Sequence, residues 1–182
     1  MTFPNKLTLL RIIMIPFFVL FALDTPVSNP LIALFIFVLA AATDKLDGYL
    51  ARKLKQVTSF GKIMDPLADK MLVGSAYLVF LAQGRMSVVP TILIIAREYA
   101  VSSLRVVAMG EGKLLAAAFS GKVKTAVQMV VAVLILLRFP DWLSFGHTLE
   151  TVLGWFAAVV TLWSGVDYFW TNRSLIHTGV RK

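Results

Sequence analysis

Four aspartates carry the most chemistry in this sequence: Asp44 and Asp47, three residues apart, and Asp65 and Asp69, four apart. On a helix, either spacing puts both members of a pair on one face. Four carboxylates within 26 residues repel one another as anions unless a cation relieves them. Carboxylate oxygens without histidine or cysteine favour the hard cations Mg2+ or Mn2+ over zinc. Two such pairs on neighbouring helices suit two metal ions, an arrangement fitted to substitution at phosphorus. Asp65 has a structural alternative: it precedes Pro66 and could cap a helix whose first residue is proline. Gly48, Ala51 and Arg52 continue the Asp44 face at i+4, i+7 and i+8. The two small residues admit either a ligand or a neighbouring helix close to the backbone, and Arg52 can pair with phosphate.

The elements that must position these groups lie in lipid. The chain has 182 residues, is 58% hydrophobic and only 15% charged, and has a mean hydropathy of +0.80. Soluble domains average about 45–50% apolar and about 25% charged residues, so no soluble core of this length hides so much apolar surface, and disorder is excluded. The absence of cysteine excludes disulfides, thiolate zinc sites and a cysteine nucleophile. Apolar runs fall at roughly 7–23, 30–50, 66–83, 87–107, 120–138 and 149–170, each near the ~20 residues of a membrane helix. The run from Ile12 to Leu23 lacks a small-residue cleavage site and reads as a retained first span. With no linker or repeat, 1–182 reads as a single domain. The expected fold is an all-α integral membrane protein of six transmembrane helices around a polar cavity open to the cytoplasm.

Charge gives the orientation. The loops near 24–29, 84–86 and 138–150 hold only Arg85 and Arg138 of the 18 basic residues, with Asp24, Asp141 and Glu150. That leaves −1 on this face and +9 on the other, which the positive-inside rule makes cytoplasmic, with both termini. The net charge of +8 is therefore a membrane signal, and no nucleic-acid partner is expected. The charge-free stretches 12–23, 71–84, 86–96 and 125–137 are short, and each span borrows ionisable residues at its cytoplasmic end. Lys6 and Arg11 begin the first; Asp44, Lys45 and Asp47 end the second; Asp65, Asp69 and Lys70 begin the third. Arg97, Glu98 and Arg105 end the fourth, and Lys122 and Lys124 begin the fifth. Lys53, Lys55, Arg173, Arg181 and Lys182 are long enough to snorkel to headgroups, but aspartates are not. Charges at membrane depth face a bundle interior or a watery cavity.

The string Asp44-x2-Asp47-Gly48-x2-Ala51-Arg52-x8-Gly61-x3-Asp65-x3-Asp69 resembles, at all eight fixed positions, the signature of the CDP-alcohol phosphatidyltransferase family. Size and span layout extend the likeness over essentially the whole chain. Pro4-Asn5-Lys6-Leu7-Thr8-Leu9-Leu10-Arg11, Ile95-Ala96-Arg97-Glu98 with Leu104-Arg105, and Gly121-Lys122-Val123-Lys124-Thr125 look like the members whose acceptor is sn-glycerol 3-phosphate. The resemblance implies attack of that alcohol on metal-bound CDP-diacylglycerol, with release of CMP, in a bacterial cytoplasmic membrane and by a homodimer. It implies that Asp44, Asp47, Asp65 and Asp69 hold two Mg2+ or Mn2+ ions and that Asp69 is also the general base. Gly48, Ala51, Arg52 and Gly61 belong to the region receiving CDP-diacylglycerol.

An acceptor bearing its own phosphate needs a basic subsite, for which Arg105 and Lys122 stand first, then Lys124 and Arg11. Thr8 serves either a phosphate or its own helix backbone. Arg97 and Glu98, being adjacent, face different sides of a helix, and an internal ion pair with other groups competes with ligand contact. Trp155, Trp163, Tyr168 and Trp170 read as interfacial anchors, and Asp167 as an interfacial or structural charge rather than a fifth metal ligand. His147 and His177 lack partner spacing for a metal, residues 111–120 form a weak candidate for an interfacial helix, and Pro16 and Pro90 are candidate kinks. The rival acceptors are inositol phosphate and phosphatidylglycerol. A cation transporter is disfavoured because no acidic residue lies in the middle or outer half of any span.

Overall fold

The computed structural model describes residues 3–53, 59–110, 119–137 and 146–173, and within them the side chains of 5–44, 64–108, 119–137, 146 and 148–173. Among these residues the chain is all helix: α1 Phe3–Ala22, α2 Pro30–Lys53, α3 Ser59–Ala82, α4 Val88–Gly110, α5 Phe119–Leu136 and α6 Gly146–Thr171. Three apolar stretches are long enough to cross a membrane by length and composition: Asn5–Ala22, Phe119–Leu136 and Thr148–Thr171. Among the described residues α2 adds a shorter apolar stretch, Pro30–Asp44. Large apolar side chains such as Leu31, Phe35, Val106 and Phe119 are exposed, whereas Thr8, Arg11, Thr91, Gln128, Thr161 and Ser164 are buried. Apolar outside and polar inside is the distribution that hydrocarbon, not water, stabilises.

The chain divides into two compact units, Met1–Arg85 with Ala132–Gly146, and Met86–Val131 with His147–Lys182. In the first, α1 packs against α2 and α3. The buried positions of α1 run Thr8, Arg11, Ile15, Phe18, Ala22, at alternating three- and four-residue steps, so they form one stripe. Phe18 meets Phe37 of α2 with ring centroids 5.6 Å apart. Asn29 caps α2, its Oδ1 accepting from the amides of Leu31 at 3.1 Å and Ile32 at 3.2 Å, with Pro30 at the first helical position, where no amide is needed.

α3 ends in a left-handed glycine. Gly84 has φ +67°, its amide bonds the Leu81 carbonyl, and the Arg85 amide reaches back to Phe80, a Schellman closure that a side chain at Gly84 would strain. This turn finishes two other helices as well. Gln83 Nε2 donates to the Ala22 carbonyl at the end of α1 at 2.8 Å, and Arg85 donates to the Ile135 carbonyl at the end of α5.

Two local expectations are corrected. α3 begins at Ser59, so Asp65 and Pro66 lie within the helix and Asp65 does not cap it. Pro66 is the eighth residue of α3, so it removes a backbone donor from within the helix and leaves the Lys62 carbonyl without its helical partner. Pro90 is the third residue of α4, where the amide has no intrahelical acceptor, so it needs no kink. Residues 111–118 and His177 lie outside the described residues, as does the side chain of His147.

In the second unit, polar pairs join α4, α5 and α6. Arg97 donates to Ser164 at 2.7 Å, Gln128 to Thr161 at 2.9 Å and Ser120 to Asp167 at 2.5 Å. Lys124 pairs with Glu98. Such bonds hold helices together where no hydrophobic effect acts between them. Asp167 thus has the structural role expected of it.

Candidate functional site

The packing stripes that build the first unit are apolar in one half and polar in the other. On α2 the buried stripe Ala33, Phe37, Ala40 continues four residues later to Asp44. On α3 the stripe Ala68, Leu72, Ala76, Val79 begins three residues earlier, at Asp65. On α1 it begins at Thr8 and Arg11. The same helical periodicity that packs the apolar halves therefore brings these polar residues together.

The contacts are specific. Thr8 Oγ1 donates to Asp65 Oδ1 at 2.6 Å, and Arg11 Nη1 meets Asp44 Oδ1 at 2.7 Å. Thr8 and Arg11 stand one turn apart, so two motif carboxylates, one from α2 and one from α3, lie beside a single face of α1. Arg11 is fully buried, and Asp44 keeps about a third of its side chain exposed at 32%. An isolated buried guanidinium would be costly, and Asp44 compensates it. Asp69 follows Asp65 by one turn of α3 and is half-buried.

These oxygens fit a hard divalent cation by donor chemistry: carboxylates with a hydroxyl beside one of them, and neither thiolate nor imidazole. Among the described residues no three acidic, histidine or cysteine side chains gather as a complete ligand set. The side chains of Asp47, Gly48, Ala51, Arg52 and Gly61 lie outside the described residues.

Thr8, a candidate for a phosphate or for its own helix backbone, donates its hydroxyl to Asp65. Arg11, a candidate for the acceptor's phosphate, is bonded to Asp44. Both partners are distant in sequence, but the three- and four-residue stripe through positions 8, 11, 15, 18 and 22 was a visible signal that they face inward.

The remaining basic candidates lie in the second unit. Arg105 and Lys122 are exposed, whereas Lys124 is buried and bound to Glu98. Glu98 also lies 3.5 Å from Arg97, so these neighbours do meet, because their long side chains curl toward each other. Arg105 Nε donates to the Tyr168 hydroxyl at 3.2 Å, with its guanidinium carbon 5.3 Å from the ring centroid. Trp155, Trp163 and Trp170 are exposed as interfacial anchors would be, but Tyr168 is not, at 1% exposure. Arg173 stacks over Trp170, its guanidinium carbon 5.1 Å from the ring centroid.

A family model described as CDP-alcohol phosphatidyltransferase matches residues 1–163. The chain belongs to the CDP-alcohol phosphatidyltransferase family. Within that family it is similar to proteins named CDP-diacylglycerol–glycerol-3-phosphate 3-phosphatidyltransferase. That of Bacillus subtilis is 37% identical, over 96% of this chain and 97% of its own length. The Haemophilus influenzae protein is 40% identical, over 91% and 90%, and that of Sodalis glossinidius 43%, over 93% and 94%. The match covers α1 to α5 and α6 as far as Trp163.

Proposed function

We propose that this CDP-alcohol phosphatidyltransferase moves the phosphatidyl group of CDP-diacylglycerol to sn-glycerol 3-phosphate, giving phosphatidylglycerophosphate and CMP. The observation that carries this reading is the likeness, over at least nine-tenths of the chain, to relatives bearing the name of that enzyme. The eight-residue aspartate motif supports the transfer from a CDP-alcohol independently of the relatives' names, while the choice of acceptor rests on those relatives.

Asp44, Asp47, Asp65 and Asp69 would hold two Mg2+ or Mn2+ ions, which when bound neutralise pyrophosphate charge and stabilise the departing CMP. Thr8 and Arg11 hold the Asp65 and Asp44 carboxylates against α1. Asp69 accepts the proton of the acceptor hydroxyl as its oxygen attacks the phosphorus next to the diacylglycerol. A new P–O bond forms, the bond to the bridging oxygen breaks, and CMP leaves with that oxygen. Gly48, Ala51, Arg52 and Gly61 serve the CDP moiety. Arg105 and Lys122, both exposed, receive the acceptor's phosphate. Lys124, tied to Glu98, contributes to that subsite through its charge.

Charge and apolar length support six spans with both termini and a polar cavity on the cytoplasmic side, while the family likeness supports a bacterial cytoplasmic membrane and a homodimer as the assembly. The test is purified protein in detergent given CDP-diacylglycerol, with CMP release followed as acceptors are supplied singly. Release with sn-glycerol 3-phosphate that stops on chelation and returns with Mn2+ or Mg2+ is expected. Release with inositol phosphate alone would replace the acceptor, and no release with any acceptor would overturn the reading.

A further inference from the structure

The sequence reading placed Tyr168 among the interfacial aromatics, yet it is the one member of that group sealed inside the protein, at 1% exposure. The stretch of α6 that carries it is tied to its neighbours. One turn earlier Ser164 receives Arg97 from α4, the preceding residue Asp167 receives Ser120 from α5, and one turn later the Asn172 amide donates to the Tyr168 carbonyl at 2.7 Å. A buried ring on a helix tied in this way is a fixed reference point, and the exposed Arg105 meets it.

An exposed arginine samples many rotamers, and ordering it on an anion costs entropy. Here the Nε edge of Arg105 is already bonded to the Tyr168 hydroxyl at 3.2 Å, and its guanidinium lies over the ring at 5.3 Å. With the Nε edge taken, the edge formed by the two terminal nitrogens remains. That edge matches two oxygens of a phosphate.

We infer that Tyr168 is a positioning residue for acceptor recognition: it holds Arg105 with its terminal edge ready for the phosphate of the acceptor alcohol. The inference rests on the reading that Arg105 meets that phosphate. Its chemistry distinguishes a phosphate-bearing acceptor from a neutral alcohol, because only the former repays an arginine arranged in advance.

The test is a double-mutant cycle on the full-length enzyme in detergent micelles, measuring KM for sn-glycerol 3-phosphate and for CDP-diacylglycerol separately. Tyr168→Phe keeps the ring and its burial and loses only the hydroxyl. It is expected to raise the acceptor KM about tenfold while the CDP-diacylglycerol KM stays level. In an Arg105→Ala background, where the acceptor KM is already high, Tyr168→Phe should add nothing. Arg105→Lys, which has no Nε to give Tyr168, should match Tyr168→Phe in acceptor KM and be insensitive to its addition. A Tyr168→Phe effect that moves both KM values, or persists undiminished in the Arg105→Ala background, makes Tyr168 merely structural and overturns the inference. An Arg105→Ala enzyme with an unchanged acceptor KM removes Arg105 from the subsite. That result overturns the reading beneath the inference and the inference with it.

Discussion

Thr8 and Asp65 are 57 residues apart in the chain and 2.6 Å apart in space, and their contact supports a sharp residue-scale expectation. A group that orients a metal ligand typically changes metal affinity about 10–100-fold when removed. Thr8→Val should therefore raise the Mn2+ concentration needed for half-maximal binding, read by paramagnetic resonance of the bound ion, while Thr8→Ser stays near the parent. Equal Mn2+ binding by Thr8→Val and the parent would reduce Thr8 to a packing residue. Asp69→Asn keeps size and removes basicity, so turnover should fall at least about 100-fold with the melting temperature nearly unchanged. A fully active Asp69→Asn enzyme would take the base role away from this residue. The aspartates themselves were legible in the sequence, because pairs at helical spacing are a local pattern. What holds them was not, since Arg11 and Asp44 meet only when α1 and α2 pack. Tyr168 was misread for a related reason: at a helix end an aromatic residue favours the interface on average, and its burial against Arg105 depends on the packing of α4 with α6.

At the scale of elements, the six helices follow from apolar run length and from the breaks between the runs, and each lies within a few residues of its expected run except at the start of α3. There the sequence offered proline as a first-turn residue, whereas the helix continues seven residues upstream of it, to Ser59. Small residues on α6 test the packing of the second unit. A Cβ on Gly165 would stand 3.0 Å from Arg97 Cγ, the stem of a side chain tethered to Ser164 and close to Glu98. A Cβ on Gly154 would meet the Met86 side chain at 3.1–3.3 Å, a flexible thioether that can turn away. Gly165→Ala is therefore expected to cost about 1–3 kcal/mol of stability, seen as a lowered melting temperature in detergent, and Gly154→Ala clearly less. Equal melting temperatures for the two variants would show that Arg97 yields as easily as methionine.

For the whole molecule, the testable quantity is sidedness. The chain has no cysteine, so single cysteines report without background. Val27→Cys, in the exposed loop after α1, should react with an impermeant maleimide added outside intact cells, and Arg173→Cys only after permeabilisation. Labelling of both from outside would overturn the proposed orientation. The charge count behind that orientation includes Arg85, which in the folded chain is a buried donor to the end of α5 rather than a surface charge. The turn it belongs to also imposes an order on biogenesis. The last carbonyl of α1 is closed by Gln83, a side chain made 61 residues later, whereas the end of α5 is closed by Arg85, made 50 residues earlier. During synthesis the Ala22 carbonyl therefore gains its Gln83 partner only after α3 has been made, while the end of α5 meets an arginine that is already there. The turn after α3 thus links one helix end made before it to another made after it.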